Sequence, residues 1–278
     1  MIYWYGFLEI FSNKHPMSDP RIKLLDELTS LRSNFSTPSP DPVAVATLMD
    51  STLAVLFPHY SQGELLNREY LSTRLDTIEE SLRRLCGPVL ETAEGLRKLT
   101  ADFNERLPYF HTLLREDAEA ICKGDPAAKS VDEVILAYPG FLAIAVYRIA
   151  HWLHLQKVPM VPRMLTEHAH RLTGVDIHPG ATIGRAFVID HGTGVVIGET
   201  TVIEDNVKIY QGVTLGALSV AKSLANKKRH PTIERDVVIY ANATILGGDT
   251  VIGAGSTVGG NVWITESVAP GSRVYHKR

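Results

Sequence analysis

Cysteine is scarce in this sequence, with Cys86 and Cys122 the only two in 278 residues. Two thiols that far apart make neither a disulfide framework nor a metal-ligand cluster, and a reducing cytoplasm is the simplest compartment to expect. Surplus charge is lacking too. A formal net charge of −3 argues against a chain built as a whole to bind nucleic acid or an anionic membrane. Long hydrophobic runs are also missing. The longest, PGFLAIAVYRIAHWLHLQ, carries Arg148, His151 and His154 and falls short of the ~20 apolar residues a spanning helix needs. The opening MIYWYGFLEIF lacks the basic region and small-residue cleavage site of a secretory signal. Met17 is an alternative start, and residues 1–20 are expected to be a disordered or artefactual arm.

What is present falls into two halves with different periods. From about residue 20 to 172 the apolar residues follow helical spacing. Leu24, Leu25, Leu28 and Leu31 form one stripe, ended by the TPSPDP segment, and Val45, Leu48, Met49, Leu53 and Leu56 form a second, stopped at Pro58. A third helix is expected over 64–85, with more near 89–106, 108–122, 130–137, 140–156 and 160–172, several separated by Gly or Pro. Residues 21–172 are thus expected to be an all-helical, oligomerising domain.

After Gly174 the period becomes six. Ile177, Ile183, Ile189, Ile197, Ile203, Ile209, Leu215, Ile233, Ile239, Ile245, Ile252, Val258 and Ile264 recur at nearly constant intervals, and two positions before most of them stands a second compact or apolar residue. Such a repeat suits neither a helix nor an alternating strand. It suits a chain that makes a short strand, turns and repeats, three strands closing a triangular coil and coils stacking at ~4.8 Å. The fold class expected is α+β, a helical domain followed over 173–278 by a left-handed parallel β-helix of hexapeptide repeats.

The repeat breaks in three places. The step from Ile189 to Ile197 is eight residues and carries Asp190-His191; the step from Leu215 to Ile233 is eighteen and holds a loop ending in Lys227-Lys228-Arg229-His230; the step from Ile245 to Ile252 is seven. Loops on a rigid scaffold are where function concentrates. Against this, a lone loop histidine is often merely solvated. Lys227 and Lys228 read as solubilising, and His151, His154, His168 and His170 read as packing or interface residues. His178, His191, His230 and His276 of the second half offer no convergent ligand set, so no metal is assigned.

At these residues the chain resembles the serine O-acetyltransferases, which make O-acetylserine on the route to cysteine. The resemblance covers roughly 110–270. It is carried by Asp125-Pro126-Ala127, YRIAHWLH at 147–154, VDIHPGATIG at 175–184, IDHGTGVVIGET at 189–200, QGVTLG at 211–216 and RHPTI at 229–233. It implies acetyl-CoA as co-substrate, with His191 as general base and Asp176 orienting its imidazole. It also implies that Arg229 holds the serine carboxylate with His230 beside it while Asp125 and Asp190 take the amine, and that the pantetheine arm passes Gly216, Ala217, Ala241, Gly259 and Gly260. Homotrimers with sites between prisms, paired into hexamers by the helical domains, are implied as well, and cysteine could occupy the serine subsite.

The sequence departs from better-known members at Gly216-Ala217 and in the longer loop over 217–229, expected to close over the CoA arm. It ends in VYHKR without the isoleucine-terminated tail that inserts into O-acetylserine sulfhydrylase, so that complex is not expected. The competing readings are an acyltransferase acting on a sugar hydroxyl or amine, and a non-catalytic scaffold.

Overall fold

The computed structural model describes residues 20–33, 39–61, 67–219 and 227–275. The expected arm before Pro20, the middle of the 217–229 loop with its supposed closure, and His276 lie outside the described residues. Helix α1 (Pro20–Ser33) falls in a unit of its own; it buries no residue and leaves Leu24, Leu25, Leu28 and Leu31 exposed.

From Ser39 onward the chain is one compact unit. Its helices are α2 (Val43–Leu56), α3 (Arg68–Cys86), α4 (Ala93–Gly124), α5 (Val131–Ala137), α6 (Pro139–Leu155) and α7 (Val161–Thr173). Side-chain caps start three of them: Asn67 accepts from the Tyr70 N–H, Thr92 from that of Gly95 and Ser130 from that of Glu133. Gly174, at φ 70°, ends α7 in the left-handed conformation.

One expectation is corrected here. The sequence suggested a break between 106 and 108, yet α4 runs unbroken through Pro108. An internal proline costs about 3 kcal/mol. It is tolerated because Leu99, Phe103, Leu107, Phe110 and Leu114 form one buried stripe across it, each worth about 1.5–3 kcal/mol of burial. Among the described residues no single helix is long and apolar enough to cross a membrane; α5 and α6 reach that composition only together, and they meet at 76°.

The hexads form the left-handed parallel β-helix expected, about five coils with three faces. Face one stacks β1 (Asp176–Ile177), β4 (Val196–Ile197), β7 (Thr214–Gly216), β10 (Thr244–Leu246) and β13 (Trp263–Ile264). Face two stacks β2 (Thr182–Ile183), β5 (Val202–Ile203), β8 (Thr232–Ile233) and β11 (Val251–Ile252). Face three stacks β3 (Val188–Asp190), β6 (Lys208–Tyr210), β9 (Val238–Ile239), β12 (Thr257–Val258) and β14 (Arg273–Val274).

All thirteen repeating aliphatic residues are buried, and they stack in register, Ile177 on Ile197 on Leu215 on Ile245 on Ile264 along face one. Thr201, Thr250 and Ser256 fill the compact position two residues earlier in their hexads and are buried with it.

Within the prism neighbouring coils exchange backbone bonds in both directions, the Asp176 N–H donating to the Val195 carbonyl and the Gly194 N–H to that of Gly174. The first coil is therefore left with carbonyls that no coil above can satisfy. Helix α6 supplies the donors. Tyr147 Oη donates to the Ala181 carbonyl at 2.5 Å, Arg148 to those of Ile183 and Gly184 at 2.6 Å each, and His151 Nδ1 lies 2.8 Å from that of Pro179.

Arg148 is held in turn by Asp117 of α4 through two bonds of 2.9 and 3.1 Å, and Asp117 also accepts from the Phe187 N–H at 3.0 Å. Because Asp117 is fully buried and Arg148 nearly so, removing one partner strands the other. Arg148→Met is expected to destabilise the fold by about 3–5 kcal/mol, read from its urea or thermal unfolding against the parent chain.

Candidate active site

The triangular cross-section puts the chemically rich segments on two different corners. Residues after β3, β6, β9 and β12 turn from face three to face one; residues after β1, β4, β7 and β10 turn from face one to face two. Asp190 and His191 lie at the three–one corner, and Arg229 and His230 at the one–two corner.

At the three–one corner the two-residue insertion makes a tight turn. The Gly192 N–H bonds back to the Asp190 carbonyl at 2.7 Å with His191 between them at φ 57°. That is a γ-turn in its rare, strained form, and a left-handed conformation for a residue other than glycine costs roughly 1–3 kcal/mol. Asn206, Asp236, Asn242 and Asn261 adopt similar φ values at other turns, where side chains of that kind tolerate it. A histidine in such a place is held there by its surroundings. The result is that the His191 side chain stands 73 % exposed with Nε2 3.9 Å from Asp190 Oδ1.

Asp190 is largely buried and its Oδ2 is 2.8 Å from Lys208 Nζ. Lys208 also donates to the Gly124 carbonyl at 2.7 Å, which brings the end of α4 to this corner. Asp125 follows directly. Its carboxylate accepts from Tyr138 Oη at 2.7 Å and from the Ala127 N–H at 2.8 Å, and these bonds, Tyr138 first, hold it below the usual carboxylate range. The same bond pushes the Tyr138 phenol up to about 12. Asp125, Asp190 and His191 thus share one corner.

Asp176 begins β1 beneath the same turn, its N–H bonded to the Val195 carbonyl at 2.9 Å. Its carboxylate, however, faces Arg163 of α7 at 3.3 Å rather than His191, and Arg163 pairs with Glu167 at 2.5 Å. Glu167, His170 and Asp176 present ligand atoms within 4.8 Å of one another, but the Arg163 guanidinium already supplies the positive charge on Glu167 and Asp176.

At the one–two corner, Thr200 organises the end of the long loop. Its hydroxyl accepts from the N–H groups of Arg229 and His230 at 2.9 and 3.1 Å, and its own N–H donates to His230 Nδ1 at 3.1 Å. That bond leaves the proton of neutral His230 on Nε2. Burial, then the neighbouring Arg229, push His230 down to about 4, so it is uncharged at neutral pH. The ring lies against Gly198, where any Cβ would collide with its Cδ2 and Nε2. Arg229 pairs with Glu199; burial works to raise that carboxyl, but the Arg229 bond and the His178 and Arg229 charges outweigh it and hold it low. Lys228, read from the sequence as solubilising, instead directs its ammonium at the carbonyls of Thr200, His230 and Pro231, anchoring the loop's return.

Of the residues expected along the pantetheine arm, Ala241, Gly259 and Gly260 come together with Tyr240, Asn261 and Tyr275 around an open groove of about 490 Å³ on the three–one corner. Gly216 ends β7 and Ala217 follows it at the one–two corner instead. Sequence reasoning missed Lys208, Tyr138, Glu199 and Thr200. The signal for Lys208 was in the repeat itself. Counting eighteen residues per coil plus the two inserted puts 208 beside 188 and 210 beside 190, the register observed.

No protein-family model matches the chain. The plasmid serine acetyltransferase of Synechococcus elongatus is 44 % identical over 285 residues, covering 89 % of each chain. A serine acetyltransferase of Bacillus subtilis is 49 % identical over 154 residues, 54 % of this chain and 69 % of that one. Among solved structures, serine acetyltransferase isoform 3 of Entamoeba histolytica, in complex with cysteine, superposes with a TM-score of 0.72 at 35 % identity over 84 % of this chain and 82 % of its own. That of Neisseria gonorrhoeae, in complex with serine, gives 0.58 at 28 % identity over 84 % and 95 %. The Synechococcus relative spans both the helices and the coils, and on that likeness this chain belongs to the serine acetyltransferase family.

Proposed function

We propose that the chain acetylates L-serine at a site completed between neighbouring chains, the three–one corner of one prism facing the one–two corner of the next. The observation that carries this is the separation of the two corners. A full face of the prism lies between His191 and Arg229-His230, on the order of 15 Å or more for a six-residue side, whereas serine is only a few bonds long. A closed trimer brings unlike corners together three times over. It also shields His191, which a single chain leaves open to water.

In the assembled site the acceptor's carboxylate lies on Arg229 and the Nε2–H of neutral His230. Arg suits a carboxylate because its planar fork reaches both oxygens. The acceptor's ammonium lies between Asp125 and Asp190. The serine hydroxyl then attacks the thioester carbonyl of acetyl-CoA while His191 removes its proton, with Asp176 orienting the imidazole once His191 turns from Asp190. The tetrahedral oxyanion is stabilised by backbone N–H groups. Its collapse breaks the C–S bond, and the imidazolium returns its proton to the CoA thiolate. O-acetylserine and CoA leave, and no acetyl-enzyme forms. The pantetheine arm follows the Ala241–Gly259–Gly260 groove of one chain and the Gly216-Ala217 corner of the next.

The direct test is release of the CoA thiol with L-serine, other amino acids and amino sugars as acceptors. Release is expected to require L-serine and to fall by about 10²–10⁴ in His191→Ala; turnover on an amino sugar alone would overturn the substrate. Mixing His191→Ala and Arg229→Ala chains is expected to restore activity to about a quarter of the parent level, because one site in four then draws both intact halves. No recovery after exchange of subunits, seen by native mass spectrometry, would place both halves in one chain. Gly198→Ala is expected to lower kcat/KM for serine by about tenfold or more, by displacing the His230 ring while the circular dichroism stays that of the parent.

A further inference from the structure

Lys208 belongs to none of the motifs that mark the family likeness, yet it is the most connected charge at the three–one corner. Its side chain is 14 % exposed on β6, with the ammonium 2.8 Å from Asp190 Oδ2, 2.7 Å from the Gly124 carbonyl and 4.4 Å from the centre of the Tyr210 ring. Gly124 ends α4 and Asp190 ends β3. The side chain therefore ties the helical wall of the corner to the prism wall. The carbonyl it takes is one of those a helix C-terminus leaves without an internal partner, and its charge acts on Asp125 as well.

We infer that Lys208 is a positioning residue for the acceptor's ammonium, fixing the gap and relative orientation of the Asp125 and Asp190 carboxylates. The inference rests on reading those two residues as the amine subsite. Two carboxylates facing one small space repel each other, and something must hold the turn after α4 at a set distance from Asp190. A cation bonded to both sides does. It also sets the charge balance: two carboxylates and one lysine ammonium leave a single negative charge, which the one ammonium of an amino acid neutralises. An acceptor without an ammonium leaves that charge uncompensated, so the same device contributes to choosing amino acids over plain alcohols.

A salt bridge that served stability alone would make no distinction between the two substrates. The full chain is compared with Lys208→Met, which keeps the apolar stem over Tyr210 and removes the charge, and with Lys208→Arg, reading kcat, KM for L-serine, KM for acetyl-CoA and thermal midpoint. For Lys208→Met we expect serine KM to rise about tenfold or more, exceeding any fall in kcat by at least about threefold, with acetyl-CoA KM moving less than about threefold. Lys208→Arg should recover most of the serine KM. An unchanged serine KM overturns the inference, as does a loss in which kcat and both KM values move together and arginine restores nothing. Asp125→Asn and Asp190→Asn run alongside: if both leave serine KM unchanged, the amine-subsite reading itself falls, whatever Lys208 does.

Discussion

Everything in the second half follows from one requirement, that each face of each coil send one aliphatic side chain into a narrow interior in register with those above and below. Ile209 meets Ile189 on one side and Ile239 on the other, so a register slip in any coil would expose its neighbours' partners too. The interior leaves room for no charged side chain. Chemistry is confined to the corners, where the chain turns and side chains point out. The two principal departures from the hexad period are the places where the corners carry Asp190-His191 and Arg229-His230.

The coils were the most legible part of the fold because a constraint repeated thirteen times leaves a signal that local noise cannot hide. Apolar spacing and breakers placed the helices nearly as well, and the exception is instructive. Pro108 reads locally as a stop, and only the buried stripe from Leu99 to Leu114, a tertiary effect, explains why α4 continues. Buried Thr201, Thr250 and Ser256 escaped notice for a related reason. The interior position they occupy demands compactness more than apolarity, and Thr250 and Ser256 reach backbone carbonyls of Leu246 and Ala269.

The site was legible in its motifs and opaque in its partners. Asp190, His191, Arg229 and His230 stand out because they interrupt a rhythm. Lys208 sits inside an uninterrupted hexad, where a charged outward residue is ordinary; the coil-on-coil register sets it beside Val188, and only its side chain's reach brings it to Asp190. Thr200 and Glu199 are similarly hidden, since the loop over 217–229 must be subtracted before they fall beside Arg229. Asp176 shows the opposite case. Its motif marks it, but its carboxylate is engaged by Arg163 of α7, a contact no spacing rule contains.

The carbonyl-capping set on α6 has a consequence for how the molecule is made. Tyr147, Arg148 and His151 precede the coil they satisfy, so a ribosome delivers the template before the strands that need it. Each later coil finds donors already waiting on the one before. In a stacked architecture, where a unit contacts only its neighbours, growth in the direction of synthesis lets every new coil pair at once with one already in place. The opposite order would require the last coil to stand on nothing.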